Sequence, residues 1–143
     1  MEWKEKQIQK YISKLLDSLI NQKIDFNLFE AIFIVNGELD STPDIIEKYI
    51  KDYPEVNIIL TESEKGVCNA RNKGIELASR KYCIFIDDDD FISENYFEGL
   101  YKYVKPNRIV VGTFYDIDED SGEVVNSYMT PQILENPGIV EKP

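Results

Sequence analysis

Apolar residues recur along this chain with two alternating periods, and each change of period marks a new element. Ile8, Ile12, Leu15, Leu16, Leu19 and Ile20 fall at helical spacing, which predicts an amphipathic helix over residues 8–20. Residues 29–35, Phe-Glu-Ala-Ile-Phe-Ile-Val, form a short run rich in β-branched and aromatic side chains. The run ends at Asn36-Gly37, as expected of a buried strand leading into a turn. A helix follows: Ser41 or Thr42 can cap it, Pro43 suits its first turn, and Ile45, Ile46, Tyr49 and Ile50 supply its apolar stripe before Tyr53-Pro54 ends it. Residues 56–60 read as a second strand, and the polar loop 61–66 opens a helix over 67–79. Residues 82–86 read as a third strand, which breaks abruptly into four aspartates, Asp87 to Asp90. Ser93 is placed to cap a helix over 94–104, Pro106 stops it, and residues 108–112 read as a further strand.

Strands alternating with helices of this length imply an α/β fold with a mostly parallel sheet covered on both faces. Residues 114–127 read as a hairpin, with Asp116, Asp118, Glu119, Asp120 and Gly122 at its polar turn, where solvated side chains are expected. The stretch 129–143 has three prolines and no period, which predicts a loop or tail. A length of 143 residues is that of one domain, so a single domain spanning 1–143 is expected.

Charge and composition narrow the chemistry. With 27 acidic and 16 basic residues the net charge is -11, which excludes a basic surface for nucleic acid or anionic lipid. There are two cysteines and no histidine, which excludes Cys/His zinc frameworks and any imidazole mechanism. Cys68 and Cys83 have no basic partner at suitable spacing and are expected to be small buried hydrophobes. The start is too charged for a signal peptide, and no apolar run approaches the ~20 residues of a transmembrane segment. A cytoplasmic protein with reduced thiols is therefore expected.

The acidic run carries the sharpest chemistry. Ligands of open α/β sheets bind at the carboxyl ends of the strands, where these aspartates fall. Two carboxylates ~4 Å apart repel by about 4 kcal/mol at an effective dielectric of ~20, and a divalent cation reverses the sign. On an extended chain Asp87 and Asp89 would face one cleft and Asp88 the other side. Hard oxygen ligands suit Mg²⁺ or Mn²⁺, which would take diphosphate oxygens and water as its remaining ligands. The alternative is a solvated turn ahead of the next helix, favoured by the helix dipole.

Residues 65–75, Lys-Gly-Val-Cys-Asn-Ala-Arg-Asn-Lys-Gly-Ile, followed by Ala78 and by Tyr-Cys-Ile-Phe-Ile-Asp-Asp-Asp-Asp at 82–90, resemble the family 2 glycosyltransferases of GT-A fold. The resemblance covers about residues 11–115. It implies a Rossmann-like GT-A fold whose D-X-D motif binds a nucleotide diphosphate-sugar, with Asp89 as the metal ligand, Asp87 and Asp88 by the ribose and sugar, and Arg71 near the nucleotide. Residues 35–42, Val-Asn-Gly-Glu-Leu-Asp-Ser-Thr, resemble the family's D-D-G-S-T-D-G-T loop, with Val35 and Asn36 in place of the two aspartates. Asn36 would accept from the uracil imide through its carbonyl, without the charge. Asp40 would cap the following helix. On the residues alone, Asn36-Gly37 is equally a turn signal, and Arg71 an exposed helical residue paired with Glu64 or Glu76. Gly66 and Gly74 would then be loop and close-packing glycines, with Ala70 and Ala78 in the core.

The resemblance also implies a first strand ahead of Tyr11, where only ten mostly charged and polar residues stand, and an acceptor half beyond residue 143. We expect the donor half alone, with no general base identified. The function expected is inverting transfer from a nucleotide diphosphate-sugar, a UDP-sugar, to a glycan or lipid-linked acceptor. A degenerate nucleotide- or metal-binding module, associated with other domains or subunits, is the rival, and a purely structural α/β domain is a third reading.

Overall fold

The computed structural model describes residues 2–37, 40–107, 110, 112 and 114–127. The chain divides into two compact units, Met1–Tyr101 and Lys102–Pro143.

The first unit opens with α1 (Glu2–Ile20), which begins six residues earlier than the apolar period requires. Ile12, Leu15, Leu16 and Leu19 line one face of it and are buried, Leu16 completely. Full burial of such a side chain contributes about 1.5–3 kcal/mol. A short 3-10 turn (Phe26–Leu28), capped by the Asp25 carboxylate, leads into β1 (Ala31–Val35), which is followed by α2 (Thr42–Asp52) and β2 (Ile58–Glu62). β2 lies two residues further along than its apolar run predicts.

β1 and β2 pair in parallel with Ala31 opposite Ile58 and Val35 opposite Glu62. Period-two alternation sends Ala31 and Phe33 toward the core formed by α1, Ile46, Val56 and Ile58, while Ile34 faces α3 (Val67–Leu77). A Cβ on Gly74 would lie 3.1 Å from Ile34 Cδ1, so the missing side chain lets α3 close on β1. Both faces of the parallel pair are therefore covered, as parallel sheets require. Asp40 Oδ1 accepts from the Thr42 N–H at 2.8 Å and caps α2, whereas Ser41 makes no capping bond. The Tyr49 hydroxyl of α2 donates to Asp17 of α1 at 2.6 Å.

Several expectations change. Residues 82–87 run without helix, turn, bend or ladder partner, so 82–86 is not a hydrogen-bonded strand. Apolar, β-branched composition prepares a segment for a sheet, but a strand exists only where a neighbouring edge supplies its hydrogen bonds. Cys68 and Cys83 are both exposed rather than buried. Cys68 sits on the outer side of α3, and Cys83 on the segment without ladder bonds, where nothing among the described residues covers it. Ala70 and Ala78 are partly buried. α4 (Tyr96–Tyr103) starts later than expected, and Ser93 does not cap it with its side chain: the Ser93 hydroxyl bonds Asn95 Oδ1 instead.

In the second unit β3 (Tyr115–Ile117) and β4 (Val124–Ser127) pair as the expected antiparallel hairpin. At its turn Asp118 Oδ1 accepts from the Ser121 N–H and hydroxyl, both at 2.8 Å, and these bonds hold the exposed carboxyl below the usual range. Most of the strand expected over 108–112, and the stretch 129–143, lie outside the described residues.

Candidate functional site

The acidic run is held at both ends by named side chains. On its N-terminal side, Arg71 on α3 donates to Asp87 Oδ1 at 3.4 Å, and its guanidinium lies 5.6 Å from the Phe85 ring centroid. Because Gly66 is the N-cap of α3 just past the end of β2, the early turns of α3, and with them Arg71, lie at the carboxyl end of the sheet. Gly66 has φ +128°, a conformation that L side chains rarely adopt. Arg71 therefore pairs with neither Glu64 nor Glu76 but with the first aspartate of the run.

On the C-terminal side the chain is tied to the end of α1. The Ser18 hydroxyl accepts from the Ile92 N–H at 3.3 Å. Gln22, buried at 5% exposure, donates to the Ser93 carbonyl at 2.7 Å and accepts from the Phe97 N–H at 3.1 Å. The Lys23 N–H donates to the Glu94 carbonyl and its ammonium pairs with the Glu94 carboxylate, both at 2.6 Å. A buried polar side chain with its donors and acceptor matched in this way fixes a loop in one position. The sequence gives little sign of Gln22's part, because a lone glutamine after a helix carries no pattern.

Between these anchors the run turns. The Asp90 N–H donates to the Asp87 carbonyl at 3.1 Å, closing a β-turn with Asp88 and Asp89 at its corners. The strict alternation expected of an extended chain is broken there: Asp87 faces Arg71, while Asp88 and Asp89 together line a cleft of about 210 Å³ with Gln7, Ile8 and Tyr11 of α1. Gln7 Oε1 is buried with no hydrogen-bond partner. In the sequence Ile8 belongs to the apolar stripe of an amphipathic helix, and Gln7 and Tyr11 follow no motif that would mark them as cleft residues. Burial, then the charges of Asp89, Asp87 and Asp88, push the Asp90 carboxyl above its ordinary range.

Asn36 stands half-buried at the carboxyl end of β1, next to Val35, whose carbonyl accepts from the Ser63 N–H at 3.0 Å. Among the described residues no hydrogen bond or ion pair joins Asn36 to the aspartates. A larger groove of about 510 Å³, lined by Phe26, Ile50, Asn57 and Arg80 among others, opens at the start of β2. That is the amino end of the strands, away from where α/β sheets place their ligands, so the smaller cleft is the candidate site.

The donor set suits a hard cation, since every candidate ligand is an oxygen. No group of three or more His, Cys, Asp or Glu side chains is placed to hold a metal among the described residues. No helix among the described residues is long and apolar enough to cross a membrane.

Comparison with known proteins identifies the family and the fold. The family described as Glycosyl transferase family 2 matches residues 4–140. The glycosyltransferase GlyG of Streptococcus pneumoniae is 29% identical over 115 residues, 79% of this chain and 38% of that protein. The poly(ribitol-phosphate) beta-glucosyltransferase of Bacillus spizizenii is 35% identical over 98 residues, 68% of this chain and 16% of that protein. The minor teichoic acid biosynthesis protein GgaB of Bacillus subtilis is 27% identical over 134 residues, 90% of this chain and 15% of that protein. Among solved structures, TarS of S. aureus superposes with a TM-score of 0.60 at 26% identity, covering 68% of this chain and 17% of that one. The chain spans well under half the length of each of these relatives.

Proposed function

The chain belongs to glycosyl transferase family 2 and has its GT-A, Rossmann-like α/β fold, and on that premise we propose that it binds a nucleotide diphosphate-sugar, a UDP-sugar, at the Asp87 to Asp89 turn. The observation that carries this reading is the joint exposure of Asp88 and Asp89 in one cleft, with Arg71 fixing Asp87 beside it. Asp89 is the metal ligand, Asp87 and Asp88 lie by the ribose and sugar, and Arg71 orients Asp87 and offers charge to the nucleotide. Asn36 accepts from the imide of the base through its amide carbonyl. Bound Mg²⁺ or Mn²⁺ would neutralise the diphosphate leaving group. The transfer is inverting, to a glycan or lipid-linked acceptor of a bacterial-type surface polymer, and takes place in the cytoplasm. No residue of this chain is assigned as its general base.

Calorimetric titration of the chain with UDP in the presence of Mn²⁺ tests the reading. Binding that needs the metal and is lost in Asp89→Ala supports it. No binding, or equal binding by the variant, removes it. A second reading, nucleotide binding without turnover, is favoured by the neutral Asn36 and Val35 where the family carries two aspartates. A sugar-release assay with a pool of acceptors separates the two, since only the first predicts acceptor-dependent release of UDP.

A further inference from the structure

Gln7, Tyr11, Lys14, Ser18 and Gln22 recur at helical spacing, so they form one stripe along α1 and just past its end, beside the buried apolar face. The acidic segment meets this stripe in order. Asp88 and Asp89 share the cleft with Gln7 and Tyr11, and the Lys14 ammonium lies 5.7 Å from the Phe91 ring centroid. Ser18 then takes the Ile92 N–H, and Gln22 takes Ser93 and Phe97. Gln22 is the buried one of the five, at 5% exposure.

The Gln22 amide is fully used. Its Nε2 donates to the Ser18 carbonyl at 3.0 Å and to the Ser93 carbonyl at 2.7 Å, as many bonds as it has hydrogens. Its carbonyl accepts from the Phe97 N–H at 3.1 Å. Phe97 is the second residue of α4, where a helix leaves its N–H without an internal partner. Gln22 thus caps α4 from a distance, the part that the Ser93 side chain does not play.

Asp89 lies three residues from Ile92, at most about 10 Å of extended chain. On the other side of the turn Asp87 is held by Arg71 through an exposed pair, which constrains it weakly. The place of Asp88 and Asp89 is therefore set from the α1 side. We infer that Gln22 is a positioning residue for the acidic turn: by capping α4 and gripping Ser93 it holds residues 92–97 against α1 and presents Asp88 and Asp89 to the cleft in one arrangement. The nucleotide as the ligand of that cleft rests on the reading given above, whereas the positioning does not. A turn already ordered before binding gains affinity, because no ordering cost remains when the ligand arrives.

Backbone ¹⁵N relaxation of the chain without nucleotide or metal reads the turn directly. Gln22→Asn keeps the amide but draws it back by one methylene, so it no longer spans its partners. The order parameters of the Asp88, Asp89 and Asp90 amides should fall from about 0.85 to below about 0.6, with those of β1 unchanged. Ile58→Ala, which opens a cavity at the amino end of β2, destabilises the fold away from the turn and should leave these amides rigid. Ser18→Ala gives up the Ile92 contact and should loosen the same three amides by less; it decides the matter if Gln22→Asn does not fold. In calorimetry with UDP and Mn²⁺, where all variants are folded, Gln22→Asn should raise Kd at least about fivefold and Ile58→Ala should leave it within about twofold. A turn as ordered in Gln22→Asn and Ser18→Ala as in the wild type overturns the inference. Equal loosening in Ile58→Ala, or unchanged UDP affinity in a loosened variant, overturns it too. If the wild type binds no UDP while the turn still loosens, the positioning stands and the nucleotide-sugar reading falls.

Discussion

Arg71 reaches across sixteen positions of sequence to Asp87, its Nη2 3.4 Å from the carboxylate and its guanidinium 5.6 Å from the Phe85 ring. Both partners are largely exposed, so the pair contributes little to stability. Arg71→Ala should therefore leave the urea midpoint nearly unchanged, within about 0.5 kcal/mol of the wild type. Metal-dependent UDP affinity should fall roughly tenfold, the loss expected when one charge-assisted contact is removed. Equal affinity in calorimetry would show that Arg71 only decorates the surface of α3.

Gln22 makes the opposite prediction. Its amide is buried and matched to the Ser93 carbonyl and the Phe97 N–H. Gln22→Leu keeps the volume but strands both backbone groups, which should cost about 2–4 kcal/mol. Urea denaturation should show the loss as a lower midpoint at unchanged slope.

Glu30 joins the start of β1 to the end of α3, accepting from the Ser79 N–H at 2.6 Å and from its hydroxyl at 2.7 Å. Slight burial opposes ionisation, but the Ser79 bonds and the backbone and charge of Arg80 outweigh it, and the carboxyl is held below the usual glutamate range. A lowered carboxyl pKa stabilises the fold above the unfolded value and loses that contribution as pH falls through the folded value. Glu30→Gln should thus lower the melting temperature at neutral pH. The gap from wild type should narrow as pH falls through the ordinary glutamate range and close once Glu30 is protonated in the folded state as well. A gap that stays constant on acidification would mean that lost packing, not charge, causes it.

Two glycines should respond with opposite signs. Gly66 has φ +128°, so Gly66→Ala should destabilise by about 1–2 kcal/mol through backbone strain alone. Gly99 lies inside α4 with nothing within 4 Å of a built Cβ, so Gly99→Ala should stabilise by up to about 1 kcal/mol. Thermal melts of the two variants side by side check both signs.

Some features were readable from residue order because their causes are local or periodic. The helical spacing of Ile12, Leu15, Leu16 and Leu19 fixes which face of α1 is buried, whatever that face meets. The run from Ala31 to Val35 and the turn signals after it fix β1, and the Asp40 carboxylate is two residues from the N–H it caps. The glycine and aspartate motifs at 66–74 and 87–89 identify the family for the same reason: a tight approach or a cluster of carboxylates demands particular residues at particular positions. Only tertiary structure decided the rest. Whether residues 82–86 become a strand depends on a neighbouring edge, which no property of those five residues can supply. Which aspartates share a cleft depends on the turn closed by Asp90 and on where Arg71, Gln7 and Gln22 lie, groups brought together from distant parts of the chain. Burial follows the same division: apolar Cys83, Ile84 and Phe85 are exposed because hydrophobicity states a preference, while the presence of a covering layer decides the outcome.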